Sequence, residues 1–117
     1  MEELVKKAIE NLPLRIKKII DNTVVCVEEE PTLEQLEKVK IKDKYQLLGL
    51  YEGIPRNVWG RGMGNNLPDK ITLFTKAIKR NSNPQEREKL IKKVIRHEIA
   101  HHFGFDEKKA RELEKGL

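Results

Sequence analysis

The longest uninterrupted helical periodicity in the chain covers residues 84–103, and it constrains the fold more than any other segment. Ser82-Asn83-Pro84 supplies an N-cap candidate and a proline at the first helical position. Gly104 is a natural C-terminal stop. With His97 set at 0° on an ideal helix, Leu90 and Val94 fall at about 20° and 60°, and Ile91 and Ile95 at about 120° and 160°. Lys89, Lys93 and Arg96 take the opposite side. His101 and Glu98 fall at about 40° and 100°, inside the apolar arc. That placement predicts titratable groups facing the core, where they need partners, and a metal ion supplies them.

The rest of the chain reads as short elements around this helix. Residues 2–11 carry Leu4, Val5, Ala8, Ile9 and Leu12 at helical spacing until Pro13 interrupts, and a second helical stretch covers 14–20. Thr23-Val24-Val25-Cys26-Val27 is short and β-branched, which predicts a strand. Thr32 is positioned to cap a short helix through Val39. Residues 45–51 predict a second strand and Ile71-Thr72-Leu73-Phe74 a third. Between them, Gly60, Gly62 and Gly64 fall in an aperiodic loop over 56–66. No Lys-Ser/Thr pair follows these glycines, so a phosphate cradle is not expected. Asp106 is placed to cap a final short helix containing Ala110 and Leu113.

Composition narrows the classes of function. A chain of 117 residues is expected to form one domain over 1–117. No apolar run approaches the roughly 20 residues needed to span a bilayer. The first residues are acidic and amphipathic, which predicts no secretory leader. One cysteine, Cys26, excludes an intramolecular disulfide framework and a multi-cysteine zinc ribbon, so the expected compartment is the cytoplasm. Residues 76–117 hold 12 basic against 7 acidic side chains, so the whole net charge of +5 lies in the last third. That asymmetry is compatible with nucleic acid or an acidic partner, or simply with a solvated helical face.

Residues 97–101 read His-Glu-Ile-Ala-His. Residues four apart on a helix project side by side, so His97 and His101 can share one metal. Imidazole nitrogen suits Zn²⁺, which in catalytic sites takes three protein ligands and leaves a position for water. Glu98, next to the first histidine, can reach that water, take its proton and deliver it to a leaving amine.

The segment HEIAHHFG, 97–104, resembles the zincin metallopeptidases, and specifically their minimal zincin-like family. LLGLYEGIP at 47–55 and LPDKITL at 67–73 are similar to that family's two segments upstream of the active-site helix. The likeness extends from the N-terminal helix to Glu107. It implies an α+β fold, a small zincin-like domain with a short β-sheet packed on a long active-site helix. It also implies a Zn²⁺ cofactor and hydrolysis of a peptide or protein substrate, with Glu98 as general base. The family pattern continues His-Glu-x-x-His-x-x-Gly-x-x-Asp, and its aspartate, the third ligand, falls here on Glu107. Asp106 immediately precedes it and is the alternative, with its own use as a helix cap. The implied metal set is His97, His101 and Glu107.

Other residues near the motif have secondary readings. His102, at about 140° on the same wheel, is expected either to support the ligands from behind or to be buried and hydrogen-bonded, rather than to bind metal. By the resemblance, Tyr51 and Glu52 end a strand that flanks the substrate, and an extended peptide can add to such an edge. Tyr51 is read as a packing residue, with donation to an oxyanion as the alternative. Trp59 and Met63 either gate the cleft or cover the core. Two competing functions stand beside the peptidase: a zincin-fold metal-binding module without peptidase activity, and a metal-dependent RNA-associated factor. Aromatic residues are only 5% of the chain, too few for base-stacking platforms, which argues against nucleic acid.

Overall fold

The computed structural model describes residues 1–53 and 69–102. They form α1 (Glu2–Glu10), α2 (Leu14–Ile19), β1 (Thr23–Glu28), α3 (Leu33–Val39), β2 (Gly49–Glu52), β3 (Asp69–Phe74), α4 (Thr75–Arg80) and α5 (Arg87–His102). The expected glycine loop with Trp59 and Met63, the Gly104 stop, Asp106, Glu107 and the last helix lie outside the described residues.

The described architecture is α+β, a three-stranded sheet of order β1-β3-β2 with helices on both faces. Strand β3 runs parallel to β1 and antiparallel to β2. Its residues Ile71, Thr72, Leu73 and Phe74 are all buried, so it reads as a continuous run rather than an alternating one. On one face, Ile71 and Leu73 pack with Val5, Ala8 and Leu12 and with Ile91, Ile95 and Ile99 of α5. On the other, Leu47, Leu50, Phe74 and Ala77 gather beneath Leu36, Val39 and Ile41. Burying each such large side chain contributes roughly 1.5–3 kcal/mol.

Local chemistry explains the boundaries. Thr32 and Gln35 form a reciprocal capping box, with Gln35 N–H donating to the Thr32 hydroxyl at 3.0 Å and Thr32 N–H to Gln35 Oε1 at 2.9 Å. Helix α3 ends on Lys40 in the left-handed region at φ 57°, and Ile41 N–H reaches back to the Leu36 carbonyl.

Three expectations change. Helix α5 begins at Arg87, not beside Pro84. The Asn83 side chain accepts from Glu86 N–H and closes a separate turn, while the Ser82 hydroxyl donates to the Ile78 carbonyl and accepts from Arg87 Nε. Strand β2 begins at Gly49 because Asp43 caps a 3-10 turn over Lys44–Gln46, which takes up the start of the expected strand. Helix α4 was not expected at all. It directly follows a β-rich run, and only Ala77 and Ile78 of its six residues are buried.

Candidate metal centre

Four residues of α5 fix its rotation. Ile91, Val94, Ile95 and Ile99 are buried against the sheet and α1. On ideal geometry this sets Glu98 near the middle of the buried arc and His97 and His101 at its margin, beside Val94. Both histidines are accordingly exposed, which corrects the expectation that they face the core. Their rings are nearly parallel, 11° apart, with centroids separated by 6.4 Å.

Gly49 sets how closely α5 approaches β2. A Cβ built there would lie 2.6 Å from Val94 Cγ1 and 3.3 Å from the Thr72 carbonyl oxygen. Only a glycine lets the helix sit this near the strand. The close approach brings Glu98 under the strand, where its Oε1 accepts a hydrogen bond of 3.1 Å from Tyr51 N–H. Burial is the main influence on Glu98 and raises its pKa above the usual carboxylate value. The Tyr51 amide and the neighbouring His97 and His101 oppose that rise without cancelling it.

The ladder also defines which side of β2 faces away from β3. Phe74 N–H donates to the Leu48 carbonyl, so by antiparallel alternation Leu48, Leu50 and Glu52 turn their backbone toward β3. Gly49 and Tyr51 turn theirs outward, and Glu98 bonds to this outward edge.

Tyr51 is held at its far end too. Its hydroxyl donates to Asp69 Oδ2 at 2.8 Å, so that proton is directed to a carboxylate rather than into the cleft. The His102 ring stacks on Tyr51 with centroids 3.8 Å apart and is exposed, which removes the buried alternative of the two roles expected for it. Glu52 is turned to α3, accepting from Gln35 Nε2 at 3.0 Å with Lys38 Nζ 3.8 Å away. Sequence reasoning missed Gly49 and Asp69. Gly49 carried a weak signal, a glycine inside an apolar run, which often marks a close backbone approach.

A cleft of about 400 Å³ opens over this assembly, lined by His97, Glu98, His101 and His102 from α5, by Gly49 to Tyr51 from β2, and by Val39 at the end of α3 and Ile41 just after it. The donor set suits zinc, being two exposed imidazoles one helical turn apart. With zinc–nitrogen bonds of the usual length, two imidazoles on one ion hold their ring centres about 5 Å apart. The observed 6.4 Å is therefore within a side-chain rotation of a shared ion. Among the described residues no third His, Cys, Asp or Glu completes a cluster with them. Glu107 and Asp106 are outside that set.

No described helix is long and apolar enough to cross a membrane. No curated protein matches the chain significantly. A family model described as zincin-like metallopeptidase matches residues 20–117, from the end of α2 through the His-Glu-Ile-Ala-His segment to the last residue. With that span matched, the chain belongs to the zincin-like metallopeptidase family.

Proposed function

We propose that this protein hydrolyses peptide bonds with zinc held by His97, His101 and Glu107, and with Glu98 as the proton carrier. The observation that carries the reading is Glu98 itself: half-buried, raised in pKa, and hydrogen-bonded to the strand edge beside two paired imidazoles. Zincin-like metallopeptidases generally bind zinc, and a bound zinc ion supplies Lewis acidity that polarises a carbonyl and makes water easier to deprotonate.

The chain's own residues do the rest. A carboxylate of raised pKa is a better base than an ordinary one, so Glu98 takes a proton from the attacking water. The hydroxyl joins the carbonyl carbon, the carbon–nitrogen bond breaks, and Glu98 returns the proton to the departing amine. Tyr51 N–H holds one carboxylate oxygen and so orients the group. Gly49 turns its backbone groups to the same outward edge, and an extended peptide pairing there as another strand would bring its scissile bond past Glu98.

The test is Glu98→Gln in the full chain. The variant is expected to keep the wild-type zinc stoichiometry while losing cleavage of a mixed peptide library by at least about a hundredfold. Loss of zinc together with activity would make Glu98 a ligand or a structural partner instead.

A further inference from the structure

Three contacts converge on Tyr51, two from α5 and one from β3. Its N–H, on the outward edge of β2, donates to Glu98 Oε1 at 3.1 Å. At the far end of the side chain its hydroxyl donates to Oδ2 of Asp69, the first residue of β3, at 2.8 Å. The His102 ring lies on the Tyr51 ring with centroids 3.8 Å apart and planes 21° apart. Glu98 and His102 are four residues apart, so they stand on one side of α5 in neighbouring turns. The strand register agrees with this grouping. Tyr51 pairs with Ile71, and Asp69, two residues earlier in β3, shares that face of the sheet. Gly53 packs close to the same group: a Cβ built there would lie 3.1 Å from His102 Cε1 and 3.7 Å from Asp69 Oδ1.

The β2–β3 register ends one residue beyond Tyr51, at the pair of Glu52 with Lys70. The end of a ladder opens more readily than its middle, and the amide that holds Glu98 points away from the ladder. We propose that Asp69 and His102 are positioning residues for Glu98: they hold the Tyr51 side chain at its hydroxyl and its ring, and so fix the N–H that orients the Glu98 carboxylate. The proposal rests on the peptidase reading. A glutamate side chain loses rotamer freedom when it is held, and one hydrogen bond to a strand edge restricts it only as far as that edge is itself fixed. With Tyr51 anchored at both ends, the carboxylate keeps one position in the cleft beside His97 and His101. Misplacing a reacting group by about 1 Å can lower a rate about a hundredfold.

The test uses the zinc-loaded full chain with Tyr51→Phe, Asp69→Ala and Asp69→Asn, and with His102→Ala and His102→Phe for the ring contact. Two readouts separate the proposal from the reading it rests on: kcat and KM on a peptide that wild type cleaves, and the NMR shift of the residue 51 amide proton in the Tyr51 and Asp69 variants. Tyr51→Phe, Asp69→Ala and His102→Ala are expected to lower kcat by about tenfold or more, with KM and zinc stoichiometry within about twofold of wild type. In Tyr51→Phe and Asp69→Ala the amide proton should move upfield as its bond to Glu98 weakens. Asp69→Asn, whose side-chain carbonyl still accepts from the hydroxyl, should restore most of kcat and of the shift. His102→Phe keeps a ring on Tyr51 and should likewise retain most of kcat. A lower melting temperature with kcat and the amide signal unchanged overturns the proposal and leaves the peptidase reading standing. A fall in kcat with the amide signal unmoved also overturns it, and assigns the Tyr51 hydroxyl a direct part in the reaction. A displaced amide signal in a protein whose wild type cleaves no peptide supports the positioning contacts and overturns the peptidase reading instead.

Discussion

Glu98 feels two opposed influences in the protein without metal: burial raises its pKa, while the Tyr51 amide and the two histidines pull it down. Because the net shift is upward, the folded protein binds that proton more tightly than the unfolded chain does. Ionised Glu98 therefore costs stability above its folded pKa, and the cost disappears as pH falls toward the ordinary carboxylate value. Without metal, Glu98→Gln should be more stable than wild type at neutral pH, with the gap closing through that acidic window. Denaturant melts of both proteins across pH measure this, and a pH-independent gap would contradict it. The third ligand is also decided at single residues. Glu107→Gln should weaken zinc binding, measured by chelator competition, far more than Asp106→Asn does. The Asp106 change should cost only about 1 kcal/mol of helix stability for a lost cap. If Asp106→Asn alone lost the metal, the family's ligand position would fall one residue earlier in this chain.

At the scale of elements, the site depends on how near α5 lies to β2. Val94 Cγ1 would stand 2.6 Å from a Cβ at position 49, so Gly49→Ala must displace Val94 or the helix that carries it. Overpacking of this kind costs about 1–3 kcal/mol, and here it also moves Glu98 relative to Tyr51 N–H. Gly49→Ala is therefore expected to reduce both melting temperature and peptide cleavage. Val94→Ala in the same chain should return part of both, since it removes the methyl group in conflict. A double variant no better than Gly49→Ala would place the conflict elsewhere. Helix α3 offers a contrast in which no contact is at stake. Lys40 sits at φ 57°, where a Cβ is unfavourable and glycine is not. Lys40→Gly should raise stability by about 0.5–1 kcal/mol without altering cleavage, read from parallel melts and assays.

Across the molecule, what was legible in the sequence follows from where the information is local. The caps at Thr32, the helical spacing of Val5, Ala8 and Leu12, and the β-branched run of β1 each lie within a few residues, and each appears as expected. Helix α4 was hidden because burial of Ala77 and Ile78, rather than any capping signal, holds it. The pairing of His97 with His101 was legible from spacing, but their exposure was not, because it depends on the rotation at which Ile91, Val94, Ile95 and Ile99 seat α5 against the sheet and α1. Helix α5 packs against α1, α4, β2 and β3, so an ion fastened to its last turns is linked to the stability of the whole fold. A ligand that binds only the folded state adds about 4 kcal/mol when present at a thousand times its Kd. For a domain of this size that is a rise in Tm of roughly 10–20 °C. Zinc added to chelator-stripped wild type should produce such a rise in a calorimetric scan, and fresh chelator should reverse it. The His97→Ala/His101→Ala double variant removes both imidazoles from exposed positions, so it should fold with little loss yet show almost no response to zinc. A full zinc-dependent rise in that variant would mean that the stabilising ion binds elsewhere, and that the paired imidazoles on α5 are not its ligands.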